Sequence, residues 1–377
     1  MPEGFRPLAS RRVVSIAQQL PGPYCGLMLA DLGAEVVLVE QVSGGDPARV
    51  FPALFAAANR GKSSVAIDLK TEEGVEIFRR LASTADVVLE GFRPGVAARL
   101  GVDYARVAHP GLVYCSISGF GQQGPLAGLP GHDLTYQAWA GALGSDAVGA
   151  PVASPLPVAD LSSALYATVG ILAALSDPTG QGGYIDVSMA ESVLAFNSVA
   201  VLAAQAGEHD EELNEPAYGV FATADQPITL SIAHEDHFWR ALCGVLEWPD
   251  VAELPGTARR ERSAPLRRRL ETAIAAQGSE HWLNVLAAAG VPCGPVNDAA
   301  STLQDPLFLA RSAFADIGGT RYPRTPIRFD GAPAPVGEPA PALGADTERY
   351  LGQLGYTDDE IQRMAEEGIV RLAQVKA

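Results

Sequence analysis

The sequence predicts an α/β fold built on a parallel sheet. Short, continuously apolar runs recur at intervals of one helix plus its loops, and helical patterns lie between them. The first strand is predicted at 13–17; Pro21-Gly22-Pro23 then breaks the chain, and 24–32 reads as a helix. Strands follow at 35–39 and 64–69. A helix at 71–82 carries apolar residues at 75, 77, 78 and 81, and further strands are predicted at 86–89 and 112–117. A long apolar helix at 159–175, a turn at 177–180, a strand at 184–187 and a helix at 189–204 complete a Rossmann-like layout.

The remaining chain reads as a smaller α+β unit and a return. Five acids in the ten residues 207–216 mark a solvated linker, placed at 206–216. Strands at 219–222 and 228–232 and helices at 236–247, 264–276 and 279–289 fill a small domain over 217–317. A Pro-, Gly- and Ala-rich stretch within 318–344 reads as a second linker, and 345–377 holds two short helices. Thr357 with Glu360 three residues on is a capping box. Two linkers flanking one insert predict a large domain made from both chain ends, the N-terminal part covering 1–205.

Composition narrows the function. The 377 residues hold 27 Lys+Arg against 44 Asp+Glu, a net charge of −17. No basic stripe speaks for nucleic acid. The densest basic patch, Arg259, Arg260 and Arg262 with Arg267, Arg268 and Arg269, reads as the solvated face of a helix. An anionic ligand must therefore be held by a few local cations. Cys25, Cys115, Cys243 and Cys293 form no CxxC or Cys/His pairing, so buried thiols are expected and a metal is not. With no signal-peptide pattern and no apolar run of membrane length, the expected protein is cytoplasmic; the apolar runs at 164–175 and 193–204 read as buried helices. A literal G-x-G-x-x-G at Gly119, Gly121 and Gly124 follows a strand, but Pro125 and Pro130 prevent the helix a dinucleotide site requires, so it reads as a loop.

Several phrases occur in order: Pro21-Gly22-Pro23-Tyr24; Leu29 to Val36 ending at Val39-Glu40; Gly44-Gly45-Asp46; Asn59-Arg60-Gly61-Lys62-Ser63-Ser64; Gly91-Phe92-Arg93-Pro94-Gly95; Ser116 to Gly121; and Gly290 to Val296. Together they resemble the class III CoA-transferase family of CaiB/BaiF type, from about residue 13 to the C-terminal helices. The resemblance implies an interlocked homodimer, a Rossmann-like large domain from both termini, and coenzyme A bound as part of the substrate, with no redox or metal cofactor. Physically, the CoA phosphates need placed cations and backbone donors. Arg60 and Lys62 flank a glycine before a strand, and Arg93 follows one at its C-terminal end. By resemblance these residues, with Gln18, Gly91, Phe92 and Tyr136, contact CoA.

Three positions bear on the chemistry: His132, Asp160 and Glu235, each where a loop opens a helix. Taken singly, N-capping explains each of them. Together they resemble the α-methylacyl-CoA racemase branch, in which a His and an Asp flank the substrate α-carbon and a Glu pairs with the His. Inverting a carbon beside a thioester needs a base on one face and an acid on the other, roles that swap with direction. The enolate oxygen needs a donor, and the backbone N–H of Asp133 is the expected one. The expected activity is thus racemisation of a 2-methyl-branched acyl-CoA. CoA transfer through an anhydride on Asp160 is the alternative, and a non-catalytic CoA-binding protein is a third reading. His132, Glu235 and the absence of adjacent glycines between 217 and 317 favour the racemase. The resemblance implies neither a nucleic-acid nor a membrane partner.

Overall fold

The computed structural model describes residues 6–145, 149–207 and 215–373. The chain forms two compact units, one holding Met1–Asn197 and Ser312–Ala377, the other Ser198–Arg311.

The larger unit is organised by a seven-stranded sheet. Its strands are β1 (Arg12–Ser15), β2 (Glu35–Glu40), β3 (Ser63–Ile67), β4 (Val87–Glu90), β5 (Val113–Ser118), β6 (Gly183–Ser188) and β7 (Val370–Arg371), in the order β7-β3-β2-β1-β4-β5-β6. All neighbours are parallel except β7, which runs antiparallel to β3. The chain builds outward from β1 through β2 and β3, then returns to add β4 on the other side. The β1/β4 pair is therefore the switch point where loops diverge and a crevice opens. The loops leaving these strands carry Gln18 and Gly91-Phe92-Arg93.

Both sheet faces are covered, which is why the strands read as apolar without alternation. On one face Val13, Val36, Leu89 and Cys115 pack with residues of α1 (Pro21–Asp31) and α4 (Val158–Leu175). On the other, Val14, Val37, Val88 and Tyr114 share a core with Ile77, Phe78 and Leu81 of α2 (Glu72–Ala82) and with Tyr350, Ile361 and Met364 from the C-terminal helices. α4 is long and apolar enough to cross a membrane by those criteria alone, and it packs against α1, β5 and β6. The C-terminal segment is stitched in by polar contacts: Thr347 Oγ1 accepts the Ala66 N–H, and the Asp346 carboxylate accepts the Ser64 N–H. The Thr357/Glu360 capping box opens the last helix.

Two elements differ from the expectation. α1 starts at Pro21, not at residue 24, because proline in the first turn lacks only an N–H that has no intrahelical acceptor. Gly22 permits that start: a Cβ there would lie 2.1 Å from the Ala17 Cβ. Gly22→Ala is therefore expected to cost about 1–3 kcal/mol in urea unfolding, since helix and strand loop must part. A wild-type midpoint would mean the loop yields freely. The helix expected at 189–204 is two helices, Met189–Phe196 and Ser198–Ala206, separated at Asn197. The second buries none of its residues in this chain, and Val199 is 80% exposed, contrary to the buried reading.

The second unit has an antiparallel sheet with Ile228–Ser231 central, paired with Tyr218–Phe221 and Cys293–Pro295. Helices Asp236–Val245, Ser263–Ile274 and Ser279–Ala288 supply Trp239, Leu242, Leu270, Ile274 and Leu286 to its core. Arg259 corrects the solvated-face reading. Its guanidinium is fully buried, donates to the Glu215 and Asp236 carboxylates, and is also bonded to the Leu254 and Ala233 carbonyls. Glu215, expected in a solvated linker, is 3% exposed. Residues 208–214 of that linker lie outside the described residues.

Candidate active site

At the switch point the larger unit holds a cavity of about 500 Å³. The loop after β1 contributes Gln18 and Gln19, the loop after β4 contributes Gly91, Phe92 and Arg93, and Ser118, His132, Tyr136 and Asp160 complete its polar lining. Apolar side chains, among them Leu54, Ile117, Leu129 and Met189, supply the rest. Sequence positions from 18 to 189 thus converge at the C-terminal ends of parallel strands and at helices packed beside them.

His132 holds the N-cap position of α3 (Asp133–Trp139), yet its side chain makes no capping hydrogen bond. The exposed imidazole is left for other work. Asp160 is the third residue of α4 and not its cap; the N-cap position falls to Pro157, which has no side-chain acceptor. The missing acceptor comes from Asp133. Its carboxylate accepts the N–H groups of Ala159 at 2.7 Å and Asp160 at 3.3 Å, and also takes a hydrogen bond from the Gln137 amide. Asp133 therefore ties the start of α3 to the start of α4 and fixes the segments carrying His132 and Asp160. The sequence offered one signal for this, a proline at a helix start without its own acceptor, but could not locate the residue that supplies the acceptor.

Burial pushes the Asp160 carboxyl up to about 7, and the neighbouring Asp133 carboxylate adds to the effect. The Tyr136 hydroxyl is also raised, first by burial and then by Asp160. Gly119 explains part of the glycine-rich loop: a Cβ there would stand 2.3 Å from the Tyr136 hydroxyl. Gly121 and Gly124 have φ of +81° and +104°, and no helix opens on the loop.

Three expected residues lie elsewhere. Arg60, predicted to meet CoA, is 1% exposed and donates from both terminal nitrogens to the two carboxylate oxygens of Asp31. Lys62 is 7% exposed, and its ammonium donates to the Pro23 carbonyl at 2.7 Å and to Asn59 Oδ1 at 2.8 Å. Burial lowers its pKa to about 7. Neither side chain lines the cavity: an Arg or Lys beside a glycine reads alike whether it faces a ligand or an interior carboxylate. Glu235 belongs to the second unit, at the N-cap position of helix Asp236–Val245, and its carboxylate accepts the Ala233 N–H. Among the described residues no three His, Cys, Asp or Glu are gathered for a metal.

The family model described as CoA-transferase family III matches residues 8–347. The chain belongs to CoA-transferase family III. This family III chain is 35% identical to acetyl-CoA:oxalate CoA-transferase of Acetobacter aceti, over 88% of the chain and 91% of that protein. It is 34% identical to succinate–glutarate CoA-transferase of Agrobacterium fabrum, over 94% and 97%. It is 30% identical to mouse alpha-methylacyl-CoA racemase, over 97% and 98%. A CAIB/BAIF family protein from Brucella suis superposes with a TM-score of 0.83 at 32% identity, covering 92% of this chain and 99% of that one. The family's members thus include both transferases and a racemase, with CoA thioesters as substrates.

Proposed function

We propose that this family III enzyme inverts the α-carbon of a 2-methyl-branched acyl-CoA. One observation carries the reading: His132 and Asp160 line a single cavity, neither spent on capping, with Asp160 raised to about 7. A carboxyl with that pKa exists in both protonation states at neutral pH, as a group that takes a proton in one direction and gives one in the other must.

In one direction Asp160 takes the α-proton, the C–H electron pair moves into the thioester to form an enolate, and the imidazolium of His132 returns a proton to the opposite face. In the other direction the roles exchange. The Asp133 N–H, at the first helical position and without an intrahelical acceptor, is the donor proposed for the enolate oxygen. Arg93, exposed at the cavity rim, is the cation proposed for the CoA phosphates, with Gln18, Gly91, Phe92 and Tyr136 along the path. A second copy of the chain is proposed to cover the exposed apolar side chains of α4 and the helix after β6, among them Val169 at 62% and Phe196 at 52% exposure.

CoA transfer is the second reading, favoured by the 34–35% identical relatives that are CoA-transferases. There the Asp160 carboxylate attacks the thioester carbonyl and expels CoA thiolate, leaving a mixed anhydride. Incubation with a chiral 2-methylacyl-CoA in D₂O, without an acceptor acid, separates the two. The racemase incorporates deuterium at C2 and loses stereochemical purity, and His132→Ala abolishes both with CoA affinity within about twofold. No exchange on several branched acyl-CoAs, together with a hydroxylamine-trapped adduct on Asp160, overturns the racemase in favour of the transferase.

A further inference from the structure

A second cavity, of about 300 Å³, is bordered by Glu90 and Gly95, at the two ends of the Gly91–Pro94 segment that lines the first. Glu90, Asp103, Tyr104, Tyr114, Ser116 and Tyr184 line it, and no Lys, Arg or His is among its described lining residues. Glu90 is 3% exposed and has no ion pair among the described residues. Its carboxylate accepts the Phe92 N–H at 2.7 Å and a hydrogen bond from the Ser116 hydroxyl, which in turn accepts from the Tyr184 hydroxyl at 3.1 Å. Burial pushes the carboxyl up to about 7, and the Asp186 carboxylate adds a repulsive contribution. The three tyrosine rings cluster with centroids 5.5–5.9 Å apart. Gln122 also lines the space, with its Nε2 buried and unpartnered. Tyr184, 44% exposed, brings the wall to the surface.

A buried carboxylate with no ion pair among the described residues, beside aromatic rings and in a cavity of small-molecule size, is complementary to a cation that is large, weakly hydrated and apolar at its edge. An inorganic anion or a CoA phosphate would meet the Glu90 and Asp103 carboxylates with no cationic side chain among the described lining residues. We propose that this cavity is a second ligand site, separate from the acyl-CoA cavity, and that it takes a small organic ammonium cation. The site reaches the first cavity through Glu90: the carboxylate that faces the cation also holds the N–H of Phe92, on the loop that lines the CoA path. The inference stands whichever reaction the first cavity performs.

The test is a saturation-transfer NMR titration of the intact protein at pH 8 in about 0.15 M NaCl, which screens the acidic surface. The probes are tetramethylammonium and its neutral isostere, tert-butanol. The cation is expected to bind at least tenfold more tightly than the alcohol, and Glu90→Gln, which keeps an acceptor for Phe92, is expected to remove at least fivefold of the cation's affinity without changing the alcohol's. Equal affinities of the two probes in wild type, no cation binding, or a Glu90→Gln variant that binds the cation like wild type each overturn the site. If Glu90→Gln does not fold, the ratio of the two probes on wild type decides.

Discussion

Asp160→Asn is expected to lower α-proton exchange by at least about 10³-fold, the scale of losing a positioned acid/base group. The amide is nearly isosteric and keeps the cavity closed to the same degree, so CoA affinity is expected to stay within about threefold. Calorimetry with CoA beside the D₂O exchange assay separates the two quantities. A variant that exchanges at wild-type rate would show that a different group is His132's partner. The same substitution has a stability signature. Burial raises the folded carboxyl to about 7, so the folded state holds that proton more tightly than the unfolded chain, where Asp titrates near its ordinary ~3.9. The stability contributed by the protonated acid is complete below the unfolded value and is lost as pH rises through 7. Asparagine is neutral throughout. The Asn variant is therefore expected to gain about 2–3 kcal/mol on wild type between pH 5 and pH 8, at 1.36 kcal/mol per pKa unit. Parallel pH profiles of the two unfolding free energies would contradict the raised pKa.

The Arg60–Asp31 pair carries the second large effect. Both side chains are almost fully buried, and Asp31 also accepts from the Thr325 hydroxyl and so anchors the C-terminal return. Arg60→Met leaves the Asp31 carboxylate buried without its cation, an expected loss of about 3–5 kcal/mol in urea unfolding. Combining it with Asp31→Leu removes the orphaned charge and is expected to restore most of that loss. CoA affinity of the folded Arg60→Met protein is expected to be unchanged. Arg93→Gln should do the reverse, weakening CoA by roughly tenfold through loss of a charge-assisted contact, with stability unaltered. If Arg60→Met instead weakened CoA while leaving unfolding untouched, the arginine would be a ligand residue after all.

These outcomes bear on how much of the molecule was legible in its sequence. The parallel sheet was, because strands covered on both faces are apolar on both, and Val36–Val39 of β2 and Val87–Leu89 of β4 show that pattern. The C-terminal capping box was legible too, since its hydrogen bonds span three residues and need no tertiary partner. His132 and Asp160 could be singled out by type and context, but their presence in one cavity depends on strand order, which local pattern does not encode. The start of α1 was missed because Pro-Gly-Pro reads as a break; only the 2.1 Å clearance over Ala17 shows why glycine follows the proline.

The sequence by itself determined the elements that local physics controls: apolar strands, amphipathic helices, caps, and a net charge of −17. The tertiary structure alone decided what each charged side chain meets. Arg60 and Arg259 found buried carboxylates, Asp133 found the start of a helix more than 20 residues away, and Glu90 is buried with no ion pair among the described residues. The reason is that a charge's energy depends on its solvation and on partners at any separation along the chain, whereas an apolar period records only which face of its own element is turned inward.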